Sequence, residues 1–214
     1  MVHTLSLTAK ELTVTRAGVP VSAGAGFVLS PGNALVIRGE NGTGKTSILR
    51  AIAGFSALDR GTIMFLDESE ECDADAVRAT QIHWLGGEDG LADRLTVAET
   101  LAFWAHLFCA HSTDGAALLD EVRLNDKRQS QVGALSTGQR RRLGLLRLLL
   151  APRALWLLDE PMSGLDESGR ALVQQATAHH RQQGGIVLMA THDDGLPNAP
   201  TLHLRPIQAQ EYSS

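Results

Sequence analysis

The chain has 214 residues, a formal net charge of -5 at pH 7 and a sequence pI near 5.9. This acidic balance argues against a duplex-binding protein, because such proteins take much of their affinity from a basic face that neutralises phosphates. A hydrophobic fraction of 43% and 21 glycines are typical of a globular protein with many turns. The length allows one substantial core, and we expect a single domain over 1–214.

The two cysteines, Cys72 and Cys109, lack the spacing of a zinc site or a disulfide framework, and we expect reduced thiols in the cytoplasm. The amino terminus lacks the charged start and apolar stretch of a signal peptide. Two arginines and a proline interrupt the longest apolar region, 143–158. We therefore expect no membrane-spanning helix, so any membrane role must come through a partner.

The first thirty residues alternate weakly between apolar and polar side chains, with apolar positions at Leu5, Leu7, Leu12 and Val14. The turn sequences AGVP and SPGN interrupt this pattern. The segment therefore predicts short antiparallel strands with one solvent-exposed face.

Three later segments are short and continuously apolar: ALVI (34–37), ALWLL (154–158) and IVLMA (186–190). This pattern is typical of central strands that helices cover on both faces. Because helical patterns separate these segments, the sequence predicts an α/β fold.

Two helices are indicated by their ends and their apolar stripes. One follows Gly44 and stops near Gly54. Another begins at Thr96, with Glu99 completing a capping-box pattern, and the whole segment 93–128 is predicted to be helical, as an insertion between strands. We interpret both stripes as core packing. They consist of Ile48, Leu49 and Ile52 in the first helix and Val97, Leu101, Trp104 and Phe108 in the second.

The sequence GENGTGKT (39–46) fits the phosphate-loop pattern G-x-x-x-x-G-K-[ST] and lies between an apolar strand and a helix. Its glycines let backbone N–H groups turn toward an anion, and the helix N-terminus adds its positive dipole end. Lys45 is expected to reach the β- and γ-phosphates, and Thr46 to offer its hydroxyl to Mg²⁺. The predicted nucleotide-binding residues are Gly39, Glu40, Asn41, Gly42, Thr43, Gly44, Lys45, Thr46 and Ser47.

The apolar segment ALWLLDE ends in Asp159 and Glu160. A carboxylate at the carboxyl end of a strand lies where α/β sheets bind ligands. Asp159 is suited to hold Mg²⁺, and Glu160 to act as the general base for an attacking water. By itself the pair could be a solvated acidic pair. The two motifs leave kinases, GTPases and motor ATPases open, although the absence of an N-K-x-D pattern weakens the GTPase alternative.

The sequence LSTGQ (135–139) lies between the two phosphate motifs and resembles the signature motif of ABC-type ATPases. The other motifs of that family occur in the family's order, with SGLD (163–166) resembling a D-loop and ATH ending at the switch-like His192. Five motifs occur in order between 39 and 192, and the resemblance covers essentially the whole chain. The resemblance implies a P-loop NTPase core of ABC-ATPase type, with an N-terminal antiparallel β subdomain and a small helical subdomain over 93–140.

The resemblance further implies that two copies pair head to tail with two ATP molecules between them. Ser136 and Gly138 of one copy would contact the γ-phosphate that Lys45 of the other copy holds. His192 would contact the γ-phosphate and help to position the attacking water. The trans-acting signature residues would be Leu135, Ser136, Thr137, Gly138 and Gln139, and the D-loop residues Ser163 and Asp166.

The residues around the signature support this interpretation locally. Ser136 and Gln139 have the spacing of an N-cap and its capping-box partner. We expect the arginines at 140–142 to form a mixed face of the helix that follows, which favours an anionic neighbourhood without recognising nucleic acid. The core-facing residues of that helix are predicted to be Leu143, Leu146 and Leu150.

Two positions depart from the general family pattern. Arg16 stands where most members carry an aromatic residue that stacks on adenine, although a guanidinium plane can also stack on a base. Glu88 replaces the glutamine expected before the helical insertion, and its carboxylate would face Mg²⁺.

These departures, with segments such as WLGGEDGLADRLTVAETLAFW and GGIVLMATH, narrow the resemblance to the ATP-binding subunits of bacterial haem exporters for cytochrome c maturation. It implies ATP and Mg²⁺ as cofactors and integral membrane permeases as partners. It also implies a location on the cytoplasmic face of the inner membrane, without nucleic acid or direct haem contact. An exporter of lipid, lipoprotein or drug is the alternative. A non-transport ABC ATPase is disfavoured, because no coiled coil or zinc-type cysteines separate Lys45 from Ser136.

Overall fold

The computed structural model describes residues 4–16, 19–86, 90–110, 114–192 and 195–205. In chain order, the strands are β1 (Leu5–Arg16), β2 (Val19–Leu29), β3 (Ala34–Arg38), β4 (Arg60–Asp67), β5 (Glu70–Glu71), β6 (Ile82–Leu85), β7 (Leu155–Asp159), β8 (Ile186–Ala190) and β9 (Thr201–His203). The α-helices are α1 (Lys45–Ile52), α2 (Ala74–Thr80), α3 (Val97–Leu107), α4 (Gly115–Glu121), α5 (Thr137–Leu150) and α6 (Glu167–Gln182). Short 3₁₀ turns lie at Asn125–Lys127 and Val132–Ala134.

The amino-terminal sheet is antiparallel, in the order β2-β1-β4-β5. Its first two strands are long, with 12 and 11 residues, and not short as predicted. The strands continue past the point where the alternation of the sequence breaks, because β1 contains a β-bulge there. Ala9 pairs with Phe27 and Leu12 with Ala25, so β1 uses one more residue than β2 between these pairs. The extra residue, together with φ 50° at Glu11, returns the apolar side chains to the buried face.

The five-stranded sheet is parallel, in the order β6-β7-β8-β3-β9. Every residue of β7 and β8 is buried, because helices cover both faces of the sheet. The three predicted central strands are confirmed as β3, β7 and β8. Their carboxyl ends lie side by side, which is where parallel sheets place ligand-binding loops.

The predicted end of α1 is confirmed. Gly54 has φ 79°, and the N–H of Phe55 donates to the carbonyl of Arg50 at 2.8 Å, which closes a Schellman motif. The predicted start of α3 is also confirmed. Thr96 and Glu99 exchange both hydrogen bonds of a capping box, and the apolar stripe of the helix is buried or half-buried.

The prediction that 93–128 is helical throughout was wrong. The segment holds α3, α4 and a 3₁₀ turn, and both α-helices stop at a non-glycine residue in the left-handed region, Cys109 (φ 53°) and Arg123 (φ 57°). Each stop is a Schellman motif, closed by the N–H of Ala110 on Ala105 and the N–H of Leu124 on Leu119, both at 2.8 Å. Glycine usually marks such ends, so the sequence carried no ordinary signal for them.

The helix α5 packs on two sides at once. As predicted, Leu143, Leu146 and Leu150 are buried, and they join an apolar cluster with α3 and α4. Leu145 and Leu148 belong to a second cluster beneath the parallel sheet. The helix therefore packs against both the helical insertion and the parallel sheet and links the two.

Within the described residues, no helix has the length and hydropathy needed to cross a lipid bilayer. Both cysteines are free thiols, Cys72 half-buried and Cys109 exposed.

One buried histidine titrates far from its ordinary range. His83 on β6 is 4% exposed, and its Nε2 lies 2.9 Å from the carbonyl oxygen of Ala151. Because a carbonyl can only accept, Nε2 carries the proton of the neutral ring. Burial lowers the pKa of His83 to about 3, with the hydrogen bond to Ala151 opposing this shift and Arg153 adding to it.

This burial predicts a pH dependence of stability. The unfolded chain protonates His83 near pH 6.5, whereas the folded chain resists protonation down to about pH 3. The neutral, buried His83 therefore makes its full contribution to the free energy of unfolding above pH 6.5. As the pH falls below this value, the free energy of unfolding decreases by up to about 1.4 kcal/mol per pH unit. We expect urea unfolding between neutral pH and about pH 5 to show a shallower loss for His83→Gln than for the wild type. The control His106→Gln, on the exposed side of α3, should keep the wild-type slope.

Candidate functional site

The phosphate loop follows β3 and runs into α1. Gly42 and Gly44 have φ 88° and 89°, which L side chains rarely adopt. A Cβ on Gly39 would lie 2.5 Å from Thr43 Oγ1 and 2.8 Å from the carbonyl oxygen of Leu204. The loop thus needs glycine at these three positions, and their missing side chains leave the backbone N–H groups open to an anion.

The side chain of Lys45 lies along this loop. Only 7% of the residue is exposed, and its ammonium donates to the carbonyls of Gly39 at 2.8 Å and Glu40 at 3.1 Å. The first turn of α1 holds no acidic residue, so the positive end of the helix dipole is not neutralised. These groups fit a polyphosphate. Of the remaining predicted loop residues, Asn41 is exposed and Ser47 half-buried.

Thr46 and Asp159 meet where α1 approaches the carboxyl end of β7. The threonine hydroxyl donates to the carboxylate, at 2.8 Å from Oδ2 and 3.0 Å from Oδ1. Burial raises the pKa of Asp159, the Thr46 hydrogen bond opposes this, and the neighbouring charge of Glu160 raises it further. A hydroxyl beside a buried carboxylate supplies the oxygen donors that Mg²⁺ prefers, so the residues fit that ion.

Glu160 and His192, which the sequence separates widely, are in contact. The carboxylate oxygen Oε1 of Glu160 lies 3.0 Å from His192 Nδ1, and Oε2 accepts the hydroxyl of Thr191 at 3.1 Å. Glu160 has φ 48°, and its N–H donates to the carbonyl of Ala190 at 2.8 Å. The carboxylate is therefore held by the two residues that follow β8, and it keeps lone pairs that can accept a proton.

The signature sequence forms the predicted capping box at the start of α5. Ser136 Oγ accepts the N–H of Gln139 at 3.2 Å, and the side chain of Gln139 accepts the N–H of Ser136 at 2.9 Å. Ser136 and Thr137 are exposed and Gly138 is half-buried, whereas Leu135 is buried in the helical cluster. The loop is thus anchored by its leucine, with its polar residues at the surface.

The D-loop lies beside the signature of the same chain. Asp166 caps α6 by accepting the N–H of Gly169 at 2.9 Å, and it also accepts from Arg142 at 2.5 Å, which lowers the pKa of Asp166. Ser163 is exposed and donates its N–H to the carbonyl of Glu160 at 3.2 Å. A pocket of about 390 Å³ joins the two motifs and is lined by Ser136, Gly138, Gln139, Arg142, Gly164 and Asp166.

Of the predicted mixed face at 140–142, the first and third arginines pair with carboxylates. Arg140 pairs with Asp93 at 2.5 Å, but Arg141 is 6% exposed, and its guanidinium contacts backbone carbonyls at the ends of β6 and β7. Sequence reasoning missed this residue. The available signal was helical spacing, since Arg141 lies one turn before Leu145 on the side of α5 that packs against the sheet.

Two predicted site residues have side chains outside the part of the chain that the structure describes. Arg16 is the last residue of β1, and its side chain is not among those described. Glu88 lies outside the described residues.

The family model described as "ABC transporter" matches residues 23–163. The chain belongs to the ABC transporter family. It is 41% identical to the "Cytochrome c biogenesis ATP-binding export protein CcmA" of Paramagnetospirillum magneticum, covering 93% of this chain and 94% of that one. It is 42% identical to the protein of the same name from Paracoccus denitrificans, covering 96% and 91% of the two chains.

Solved structures agree on the fold. A putative ABC transporter ATP-binding protein from Pyrococcus furiosus superposes with a TM-score of 0.78 at 23% identity, over 93% of this chain and 97% of that one. An ATP-binding subunit of an ABC transporter superposes with a TM-score of 0.76 at 24% identity, over 87% and 79%. The predicted ABC-ATPase fold is thereby confirmed. The family also decides between the alternatives that the phosphate motifs left open, because the chain is an ATP-hydrolysing transporter ATPase and not a kinase or a GTPase.

The phosphate loop offers a matched pair of glycine substitutions. A Cβ at Gly42 would meet nothing within 4 Å, whereas a Cβ at Gly44 would lie 2.9 Å from Ser22 Cβ on β2. Both replacements by alanine place a side chain at a left-handed φ, which costs about 1–2 kcal/mol. We expect Gly44→Ala to lose at least ~1 kcal/mol more than Gly42→Ala in urea unfolding, because only it crowds β2. Equal losses would show that the contact with β2 carries no strain.

Proposed function

We propose that this chain energises the export of haem for cytochrome c biogenesis, its ATP hydrolysis driving haem delivery or release of a haem-loaded chaperone on the periplasmic side. The observation that carries the proposal is the identity of 41–42%, over more than nine-tenths of each chain, with relatives named as cytochrome c biogenesis ATP-binding export proteins. The site geometry supports the hydrolytic half of this function.

In the proposed reaction, Lys45 and the backbone N–H groups of the phosphate loop bind the β- and γ-phosphates. Thr46 and Asp159 would hold Mg²⁺, which would neutralise charge on the phosphate oxygens. The 2.8 Å hydrogen bond between their side chains supports a shared role.

Glu160 is the proposed general base. A water oxygen attacks the γ-phosphorus, its proton passes to the carboxylate of Glu160, and the bond from phosphorus to the β–γ bridging oxygen breaks. Thr191 and His192 hold the two carboxylate oxygens from one side. This support keeps the base in place without occupying all of its lone pairs.

We further propose that a second copy of the chain completes each ATP site. The contacts of the phosphate loop run to β7, whereas the signature pocket opens between α5 and the D-loop. Ser136 is exposed at the N-terminus of α5, and the first turn of that helix holds no acidic residue. An exposed helix N-terminus of this kind suits a γ-phosphate presented by another chain.

The proposed partners outside the dimer are integral membrane permease subunits, with the chain on the cytoplasmic face of the inner membrane. Membership of the ABC transporter family supports a membrane partner. The net charge of -5 supports a function without nucleic acid. The ATPase need not touch haem in this scheme, since it supplies only the energy for export.

Complementation tests the export function. In a bacterium that lacks its own ATPase subunit for cytochrome c maturation, we expect the wild-type chain to restore c-type cytochromes, measured by haem staining and absorbance. Lys45→Ala should fail, because it removes the charge that faces the phosphates. The proposal is refuted if the wild-type chain accumulates without restoring cytochromes while the Paracoccus denitrificans relative restores them in the same strain.

Replacement of Glu160 tests the base and the dimer together. We expect Glu160→Gln to bind ATP but to lower turnover by at least about a hundredfold, since it cannot accept the proton. The bound ATP should then trap a dimer, seen by size-exclusion chromatography, and adding Ser136→Arg should prevent the trapping. Hydrolysis at the wild-type rate by Glu160→Gln would remove this residue from the proposed role.

A further inference from the structure

Arg141 is a buried cation whose described partners are all backbone carbonyl oxygens. Its guanidinium donates from Nη1 to Gly86 at 2.7 Å and from Nη2 to Asp159 at 3.0 Å. Nη2 also donates to Glu160, and Nε donates to Pro161 at 3.4 Å. The arginines on either side, by contrast, pair with carboxylates at the protein surface.

These carbonyls lie at the carboxyl end of the parallel sheet, where the proposed catalytic carboxylates also lie. Gly86 follows β6, Asp159 ends β7, and Glu160 and Pro161 follow it. Buried carbonyls at the end of a strand need hydrogen-bond donors, and a side chain from another element can be such a donor. Arg141 is that donor for both strands, and it enters from α5.

The contact with Glu160 concerns a residue in an unfavourable backbone conformation. Its φ of 48° lies in the left-handed region, which L residues other than asparagine and aspartate seldom adopt. The N–H of Glu160 donates to the carbonyl of Ala190, and its own carbonyl accepts from Arg141 and from the N–H of Ser163. Both polar groups of its backbone are therefore paired. The carboxylate of this residue lies against Thr191 and His192.

We propose that Arg141 is a positioning residue for ATP hydrolysis, which holds the backbone of Glu160 so that its carboxylate stays ready to accept the proton of the attacking water. This inference rests on the proposed role of Glu160 as general base. Arg141 does not touch the reacting atoms. It acts through the peptide that carries the base.

The guanidinium suits this task better than other polar groups. Its planar fork directs N–H groups in several fixed directions, which matches carbonyls from separate segments. A lysine ammonium is a single donor atom and could reach only part of this set. A glutamine would place one amide there and no charge.

The experiment compares Arg141→Lys and Arg141→Gln with the control Arg153→Lys in the full chain. Arg153 also donates to a backbone carbonyl, that of Ile82 at 2.7 Å, but at the start of β6, away from the site. We expect kcat to fall at least about tenfold in both Arg141 variants, with KM and the affinity for a fluorescent ATP analogue within about twofold of the control, because misplacement of a base affects mainly the chemical step. A merely structural role would lower the melting temperature and ATP affinity together with kcat. That result, or a kcat within about twofold of the control, overturns the proposal.

A second measurement locates the effect at Glu160. In single-turnover hydrolysis, adding Arg141→Gln to Glu160→Gln should change the residual rate by less than about twofold, because the base is already absent. A further tenfold loss would mean that Arg141 acts elsewhere, and would overturn the inference. If Glu160→Gln alone hydrolyses ATP normally, the proposed base is wrong. If only the Arg141 variants hydrolyse normally, this inference alone fails.

Discussion

The concentration of negative charge at the carboxyl end of β7 is the constraint on which the site depends. Two successive carboxylates, Asp159 and Glu160, meet there with the backbone carbonyl oxygens that accept from Arg141. Buried charges and polar groups are costly unless they are paired. The chain satisfies them from three directions, with Thr46 from α1, His192 from the segment after β8 and Arg141 from α5.

The helix α5 connects the carboxyl ends of β6 and β7 to the rest of the protein. It begins with the exposed signature residues, contacts the carboxyl ends of two strands through Arg141 and buries leucines in two apolar clusters. The position of its N-terminus is therefore tied by packing to the geometry of Glu160. Because protein interiors in general are packed about as densely as organic crystals and transmit strain, a displacement of one end of the helix would be felt at the other.

The site as a whole consists of two faces with different chemistry. The phosphate loop offers N–H groups, an ammonium and the hydrogen-bonded pair of Thr46 and Asp159, while the signature pocket offers a capped helix N-terminus and an arginine–aspartate pair. The chain belongs to a family of transporter ATPases. In that context the two faces support the proposed assembly, in which ATP would lie between two copies of the chain.

Much of this could be predicted from the sequence, since short-range rules determine it. Glycine spacing identified the phosphate loop, hydroxyl and amide spacing the capping boxes at Thr96 and Ser136, and continuous apolar runs the central strands. Other features had no local signal. Helix ends at Cys109 and Arg123 use left-handed residues other than glycine, and the bulge at Glu11 shifts the alternation of β1.

By itself the sequence determined the motif series, the family and the residue types that suit phosphate and Mg²⁺, because these depend on neighbours along the chain. Tertiary structure decided what the charged residues do. Arg140, Arg141 and Arg142 are identical in type and adjacent, yet one is buried against carbonyls while the others pair with Asp93 and Asp166 at the surface. That difference arises because a helix turns successive side chains about 100° apart, and only the packing of α5 against the sheet determines which of them meets the end of β7.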